Sequence, residues 1–353
     1  MGIMKAAIFV KPGEVTVREV PKPKICKPTD AIIKIIRSCV CGSDLWYYRG
    51  LMPHADNSFT TGHEALGIVD EVGSDVKSVK PGDFVICPFT HGCGHCIACV
   101  SGFDGNCLNR TNEDPQDWGG SYQAQYLRFI NADWALVRVP GFPEDYDEDT
   151  LNSLLTLSDV MATGYHAAVS AEVKPDSTAV VVGDGAVGLC GIISCRLLGA
   201  TKIIAFSSHE DRQKMALEFG ATDIVSERGE KAIEHLKAIN DGHKADRALE
   251  CVGTNLSLET CLGSSRPGGV VGRVGLPEAY KVDAQKLFEG NFGLKGGIAA
   301  VTTYDRPYLL TQVLEKKINP GKVFTKSFKF DDIQKAYEAM DKREAIKSLL
   351  IMD

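Results

Sequence analysis

The chain has 353 residues, length for about two domains, and 44% of them are hydrophobic, enough for a sizeable core. Its formal charge of −7 and the absence of a basic run disfavour nucleic acid or an anionic membrane as partner. No apolar run approaches the length needed to span a bilayer. The opening MGIMKAAIFV lacks the apolar stretch and small-residue cleavage site of a signal peptide, so a cytoplasmic location is expected.

In chain order, the first half is β-rich. KAAIFV, AIIKIIRS, ALGIVDEVG, DFVICPF and YQAQYLRFI are short runs heavy in Ile and Val, separated by Pro and Gly. They predict a barrel or sandwich of strands. TLNSLLTLSDVMATGYHAAVSA, from Thr150, reads as one helical stretch. After it strands and helices alternate. Strands are expected at 178–182, 202–206 and 223–225, and helices at 186–198, 210–219 and around 230–239. DRALECVG, a helix to Ser265, PGGVVGRVG and FGLKGGIA continue the series. Such alternation with short Gly-rich turns indicates a doubly wound parallel sheet. The C-terminal segment adds a helix and a last strand that pack back on one of the two domains.

Between the early strands lies HGCGHCIACVSGFDGNC, which crowds Cys93, Cys96, Cys99 and Cys107 into one loop. In a reducing compartment disulfides rarely persist, so clustered thiols more often bind metal or do redox chemistry. Four thiolates on a short loop suit a closed, tetrahedral, structural zinc site, with His91 and His95 near enough to replace a cysteine. Spacing alone does not separate zinc from an iron–sulfur cluster. Cys190, Cys195, Cys251 and Cys261 lie in apolar patterns and read as small core residues.

VVVGDGAVGLCG carries Gly183, Gly185 and Gly188 in G-x-G-x-x-G spacing, after a strand and at the start of a helix. That context is the one in which the glycines permit a tight turn, close approach to a pyrophosphate and close helix–strand packing. Ala186 and Val187 open the helix whose N-terminal N–H groups would face the phosphates. An acid about 20 residues on would bind the 2′-hydroxyl of NAD. Ser207 stands there instead, with Ser208, His209 and Arg212 following. The missing acid favours NADP(H) over NAD(H), which stays possible.

Two further stretches offer chemistry: CVCGSDLWYYRG, with Cys41, Ser43 and Asp44, and TTGHEALGIV, with His63 and Glu64. Singly each has an ordinary reading: a buried thiol, a core histidine, a surface charge. Taken with KPGDFV, the thiol loop, VVGDGAVGL, LECVG, PGG and AIKSLL, in that order over nearly the whole chain, they resemble the zinc-dependent alcohol dehydrogenases of the medium-chain dehydrogenase/reductase superfamily.

The resemblance implies an N-terminal GroES-like, β-rich catalytic domain (1–160 with 299–353), a Rossmann coenzyme domain (161–298), and an active-site cleft between them. It implies two zinc ions per chain: a structural one on the four-cysteine loop and a catalytic one on Cys41, His63 and Asp159, with Glu64 as a nearby acid. Asp44 would orient a ligand imidazole, and Phe89 would line the substrate pocket. Thr163, Val252 and Val274 would lie beside the coenzyme, and Lys347 at its phosphate. The implied reaction is hydride transfer between an alcohol or carbonyl and NAD(P), with Ser43 relaying the proton. Trp46 stands where many relatives carry a relay His. Trp46 and Trp118 lean the substrate toward a hydrophobic or aromatic secondary alcohol or ketone. A homodimer or homotetramer is expected. The rivals are a polyol, sugar or amino-alcohol dehydrogenase on the same scaffold, and a non-catalytic nucleotide-binding protein with one structural zinc.

Overall fold

The computed structural model describes residues 2–52, 61–109, 121–277 and 281–352. The chain divides into two compact units, Met1–Asp159 with Ala300–Asp353, and Val160–Ala299. The first unit begins with strands β1 (Ile3–Lys11), β2 (Glu14–Pro21), β3 (Ala31–Val40), β4 (Ala65–Val72), β5 (Phe84–Cys87), β6 (Tyr126–Phe129) and β7 (Val137–Arg138). The second holds β8 (Thr178–Val182), β9 (Lys202–Phe206), β10 (Asp223–Val225), β11 (Ala245–Glu250), β12 (Ser265–Arg273) and β13 (Gly293–Gly296). The chain then returns to the first unit with β14 (Phe324–Lys329) and β15 (Lys347–Ile351).

In the first unit β14, β15, β3, β4, β5 and β7 lie side by side in that order, and β6 also pairs with β3. β3 is buried along most of its length, on both of its faces. Its pattern is therefore a nearly unbroken apolar run rather than an alternation. One core fills the space under β3–β5 with Ile33, Val69, Val85, Leu127 and Phe129. A second packs Phe9, Tyr48, Tyr337 and Leu350 around the helix Ile333–Asp341. β15 runs antiparallel to β3, with Ser348 opposite Val40, which carries Lys347 to the end of β3 just before Cys41.

In the second unit the parallel order is β10-β9-β8-β11-β12-β13. The order reverses between β8 and β11, the switch point at which ligands bind in doubly wound sheets. Cys261 joins the core with Val180, Ile204 and Leu236, and Cys190 and Cys195 are likewise buried, whereas Cys251 is partly exposed.

One expected element is corrected. The helical stretch from Thr150 is two helices, Glu148–Thr156 and Val160–Ser170. Between them the backbone tightens into i→i+3 bonds, Leu157 to Leu154 (3.1 Å), Ser158 to Leu155 (3.1 Å) and Asp159 to Thr156 (3.3 Å). Both segments are apolar and helix-forming, so periodicity runs across the break. The interruption delivers Asp159 to the site described next.

Candidate active site

Four side chains from three separated segments converge in the first unit. One ligand atom each from Cys41, His63, Glu64 and Asp159 lies within 4.8 Å of every other. Asp159 Oδ2 is 3.2 Å from His63 Nε2 and 3.7 Å from Cys41 Sγ. Cys41 follows β3, and His63 and Glu64 precede β4. The antiparallel β3–β4 pairing, Ser38 opposite Ala65, therefore brings their ends together.

The surroundings orient each donor. Asp44 accepts the Cys41 backbone N–H through Oδ2 (2.9 Å) and faces His63 Nδ1 through Oδ1 (3.4 Å). A carboxylate on Nδ1 leaves Nε2 as the nitrogen aimed at the other donors. Gln123 donates to Asp44 (3.4 Å) and to the Cys39 carbonyl (2.9 Å), and accepts from Tyr337 Oη (2.9 Å) and Thr61 Oγ1. Gly62 is needed beside it, because at φ +81° a Cβ would lie 2.5 Å from Gln123 Cγ. Neither Gln123 nor Tyr337 was a sequence candidate. Both sit in apolar patterns, and their only sequence sign is a polar tip in a position otherwise suited to core.

A charged pair is buried here. Glu64 and Lys347 are each 1% exposed and meet at 2.6 Å. Lys347 also donates to the Val40 carbonyl (3.3 Å). The resemblance put Lys347 at a coenzyme phosphate, and the structure gives its ammonium a different partner, the Glu64 carboxylate. Burial raises the Glu64 pKa against the pull of Lys347. Burial disfavours the His63 cation, but Asp44, Cys41 and Asp159 outweigh it and hold its pKa well above the usual value.

A metal cation fits these donors. Sulfur, imidazole nitrogen and carboxylate oxygen are the ligand types zinc takes. The excess negative charge around His63 is the environment a cation would neutralise, and Glu64 Oε2 is buried with no hydrogen-bond partner. Phe89 stands edge-on to the His63 ring, centroids 6.0 Å apart. Ser43 precedes the short helix Asp44–Tyr48, which carries Trp46, and both are half-buried. Trp118 lies outside the described residues.

The second cluster is Cys93, Cys96, Cys99 and Cys107, with sulfurs also within 4.8 Å of one another. All are free thiols. Backbone N–H groups point at the sulfurs: Cys93 to Cys107, Cys96 to Cys93 and Leu108 to Cys96, each at 3.4 Å. The Asn109 amide adds a fourth donor to Cys93 (3.3 Å). The backbone N–H groups of Cys99 and Leu108 lower the Cys96 pKa to about 6, whereas burial raises Cys99 to about 12. His91 and His95 are not part of the cluster. His91 is tied to Tyr122 Oη (2.6 Å), and His95 to the Cys93 carbonyl (2.8 Å) and Asn109 (3.2 Å).

Comparison with known proteins gives the family. Residues 27–141 match the model of the alcohol dehydrogenase GroES-like domain, and residues 186–311 that of the zinc-binding dehydrogenase. An uncharacterized zinc-type alcohol dehydrogenase-like protein of Bacillus subtilis is 31% identical over 382 residues, covering 98% of this chain and all of that protein (100%). The chain belongs to the zinc-dependent alcohol dehydrogenases. Zinc-type alcohol dehydrogenase B of Aspergillus flavus is 34% identical over 281 residues, 77% of this chain, and the match spans 64% of that longer relative. Among solved structures, zinc dependent alcohol dehydrogenase 2 from Streptococcus pneumonia superposes with TM-score 0.88 at 33% identity, covering 99% of each chain. An alcohol dehydrogenase from a Thermus species gives TM-score 0.89 at 27% identity, covering 99% of this chain and 100% of the other. Membership makes the chain an oxidoreductase acting between alcohols and carbonyls.

The second unit carries the glycine turn after β8. The helix Ala186–Leu197 starts immediately beyond it, with Gly185 as its N-cap. A Cβ on Gly188 would lie 1.9 Å from the Gly183 carbonyl oxygen, so glycine alone lets helix and turn approach this closely. Above Gly185 the space is open, with no atom within 4 Å of a Cβ there. An open turn at a helix N-terminus suits a pyrophosphate. Thr163 is buried in the helix Val160–Ser170. Val252 and Val274 follow β11 and β12, at the strand ends where ligands bind. Glu250 holds both turns. Its side chain accepts from the N–H of Val252 (2.9 Å) and Gly253 (2.8 Å), and its carbonyl from Val274 (2.9 Å). At the end of β9, Ser207 and Arg212 both donate to Asp184, a residue of the glycine turn the sequence reading passed over.

Proposed function

We propose that the chain interconverts hydrophobic secondary alcohols and their ketones, with a nicotinamide dinucleotide as hydride partner. The observation that carries this is the convergence of Cys41, His63, Glu64 and Asp159 within 4.8 Å. Cys41, His63 and Asp159 would hold one zinc ion, and the four-cysteine loop a second. Bound zinc supplies Lewis acidity toward an alcohol or carbonyl oxygen, and the nicotinamide supplies or takes the hydride.

The chain's own residues supply the rest. Cys41, His63 and Asp159 as three protein ligands would leave a position for substrate, as catalytic zinc sites require. Asp44 keeps the His63 ring in the tautomer and orientation that present Nε2. Glu64 is held by Lys347 through Oε1, the oxygen 3.9 Å from His63 Nε2, and would serve as an additional ligand. The Ser43 hydroxyl takes the substrate proton and passes it outward. With Trp46 where a relay histidine would stand, water or coenzyme ribose completes that path. Phe89 and Trp46 exclude water and favour an apolar substituent on the reacting carbon.

Gly183, Gly185, Ala186, Val187 and Gly188 bind the dinucleotide, and Thr163, Val252 and Val274 lie beside it. Ser207 considered alone favours NADP(H). Its carboxylate neighbour Asp184 changes that balance. β13 is an edge strand with the exposed Phe288 shortly before it, which suits pairing with a second copy in a homodimer or homotetramer. The free state of all 12 cysteines supports a reducing, cytoplasmic setting. Among the described residues no helix is long and apolar enough to cross a membrane.

Metal analysis with a panel of alcohols and ketones, assayed with NAD⁺ and NADP⁺ and their reduced forms, tests the reading. Two zinc per chain and oxidation of secondary alcohols are expected. One zinc per chain with no turnover of any substrate would leave a nucleotide-binding protein with a structural metal.

A further inference from the structure

The doubly wound sheet leaves a question at the end of β9. The position at which an acid would accept the ribose 2′-hydroxyl holds Ser207, and sequence distance points to no replacement. Tertiary structure does. β8 and β9 are parallel neighbours in register, Val182 opposite Phe206, so the residues leaving the two strands emerge side by side. Asp184, two residues beyond β8, sends its carboxylate across to the end of β9. Its Oδ2 accepts from Ser207 Oγ at 2.8 Å and its Oδ1 from Arg212 Nη1 at 2.9 Å.

We propose that Asp184, from within the glycine turn, provides the 2′-hydroxyl acceptor that the end of β9 lacks, and thereby makes the chain select NAD(H) over NADP(H). This rests on the reading of the second unit as a dinucleotide-binding domain. A hydroxyl has one proton to donate, and Ser207 gives it to Asp184. What remains on Ser207 Oγ is acceptor capacity. Arg212 donates to the same carboxylate through Nη1, so its positive charge is largely offset there. The Ser207 proton and Nη1 of Arg212, which would have met a 2′-phosphate, are therefore engaged. The corner instead offers acceptors, which match a ribose hydroxyl, a donor. A 2′-phosphate has only acceptor oxygens and about 1.5–2 negative charges, and it would have to lie against a carboxylate.

One cation acts the other way. Arg228 donates to Ser208 Oγ at 3.3 Å, and His209 follows it. Ser208 and His209 are exposed, so charge beside them is screened by water. Asp184 and Arg212 are largely covered, with side chains 20% and 18% exposed, so their charges are screened less.

Direct binding settles the matter without turnover. Fluorescence titration with NADH and NADPH, and calorimetry with 5′-AMP and adenosine 2′,5′-bisphosphate, give the discrimination at the 2′-position alone. Wild type should bind NADH roughly tenfold or more tighter than NADPH, the scale of one charge-assisted hydrogen bond gained or one like-charge contact avoided. Asp184→Asn keeps the size and an acceptor for Ser207. It should shrink or reverse the ratio, tightening NADPH and weakening NADH, with 5′-AMP and the bisphosphate following the same order. Wild type binding NADPH as tightly as NADH would overturn the proposal without reference to any variant. So would an Asp184→Asn chain, folded by circular dichroism, that shifts both affinities equally. If wild type bound none of the four compounds, the dinucleotide reading itself would fall and the proposal with it.

Discussion

The two clusters of candidate ligands are built in opposite ways. The four-cysteine loop draws all its donors from 15 consecutive residues, Cys93 to Cys107, and lines their sulfurs with N–H groups of the same loop. The quartet of Cys41, His63, Glu64 and Asp159 spans three segments, mixes sulfur, nitrogen and oxygen, and leans on a buried ion pair and a buried amide network. A loop with four equivalent thiolates can close a tetrahedron and offer nothing to substrate. A mixed set held from several directions can leave one side open while each ligand keeps a fixed orientation. The first arrangement suits a closed metal site and the second an open one, a difference that local spacing alone does not reveal.

Substitutions at the quartet should remove chemistry with little change in fold, and the largest effect is expected at His63. His63→Ala should lower kcat/KM by at least roughly a thousandfold, because the Lewis acid contributes several kcal/mol to the transition state and each 1.36 kcal/mol is tenfold. Circular dichroism should stay as in wild type. Retained alcohol oxidation would show that the quartet is not the reacting site.

The ion pair beneath the quartet should behave differently. Lys347→Met leaves a carboxylate that is 1% exposed without its cation, and should destabilise the chain by about 3–5 kcal/mol in urea unfolding. Adding Glu64→Gln should restore most of that loss. A double variant no more stable than the single one would mean that the lysine acts through something other than Glu64.

Asp44 tests the orienting role. Asp44→Asn should weaken metal retention or activity by about 10- to 100-fold, the range for groups that position a metal's ligands. Zinc retained at the four-cysteine loop serves as the internal reference. Equal loss from both clusters would erase the distinction between them.

The smallest expected effect sharpens the other side. In the metal-free chain, Cys96 with a pKa of about 6 is a thiolate at neutral pH. Its alkylation rate should rise about tenfold between pH 5 and pH 7 and then level off, since only the thiolate reacts. Cys99, pushed up to about 12, should stay slow throughout. Zinc should protect both. Cys96 reacting only above pH 8 would show that the loop's N–H groups do not hold its thiolate.

Much of this was legible in the residues themselves. The strands of the first half follow Ile and Val runs, and the alternation after Thr178 predicts the parallel sheet, because both patterns are local consequences of burial. The thiol loop was readable for the same reason, all its ligands lying in one short stretch. The helix break before Val160 was not, since Leu154 to Met161 is apolar enough to continue a helix. What stops the helix is a set of tighter turn bonds that no residue type announces. Lys347 shows the same limit. Its number lies far from Glu64, and only the antiparallel pairing of β15 with β3 sets one beside the other.

The sequence by itself determined the strand and helix periods, the crowding of four cysteines into one loop and the glycine turn, since each depends on neighbours within a few residues. Tertiary structure alone decided which acid meets which cation. It put Lys347 under Glu64, Gln123 against Asp44, and Asp184 rather than any residue of β9 beside Ser207. The reason is physical. Charges and hydrogen-bonding groups act over a few ångströms of space, and chain connectivity says nothing of that distance until the strands have paired.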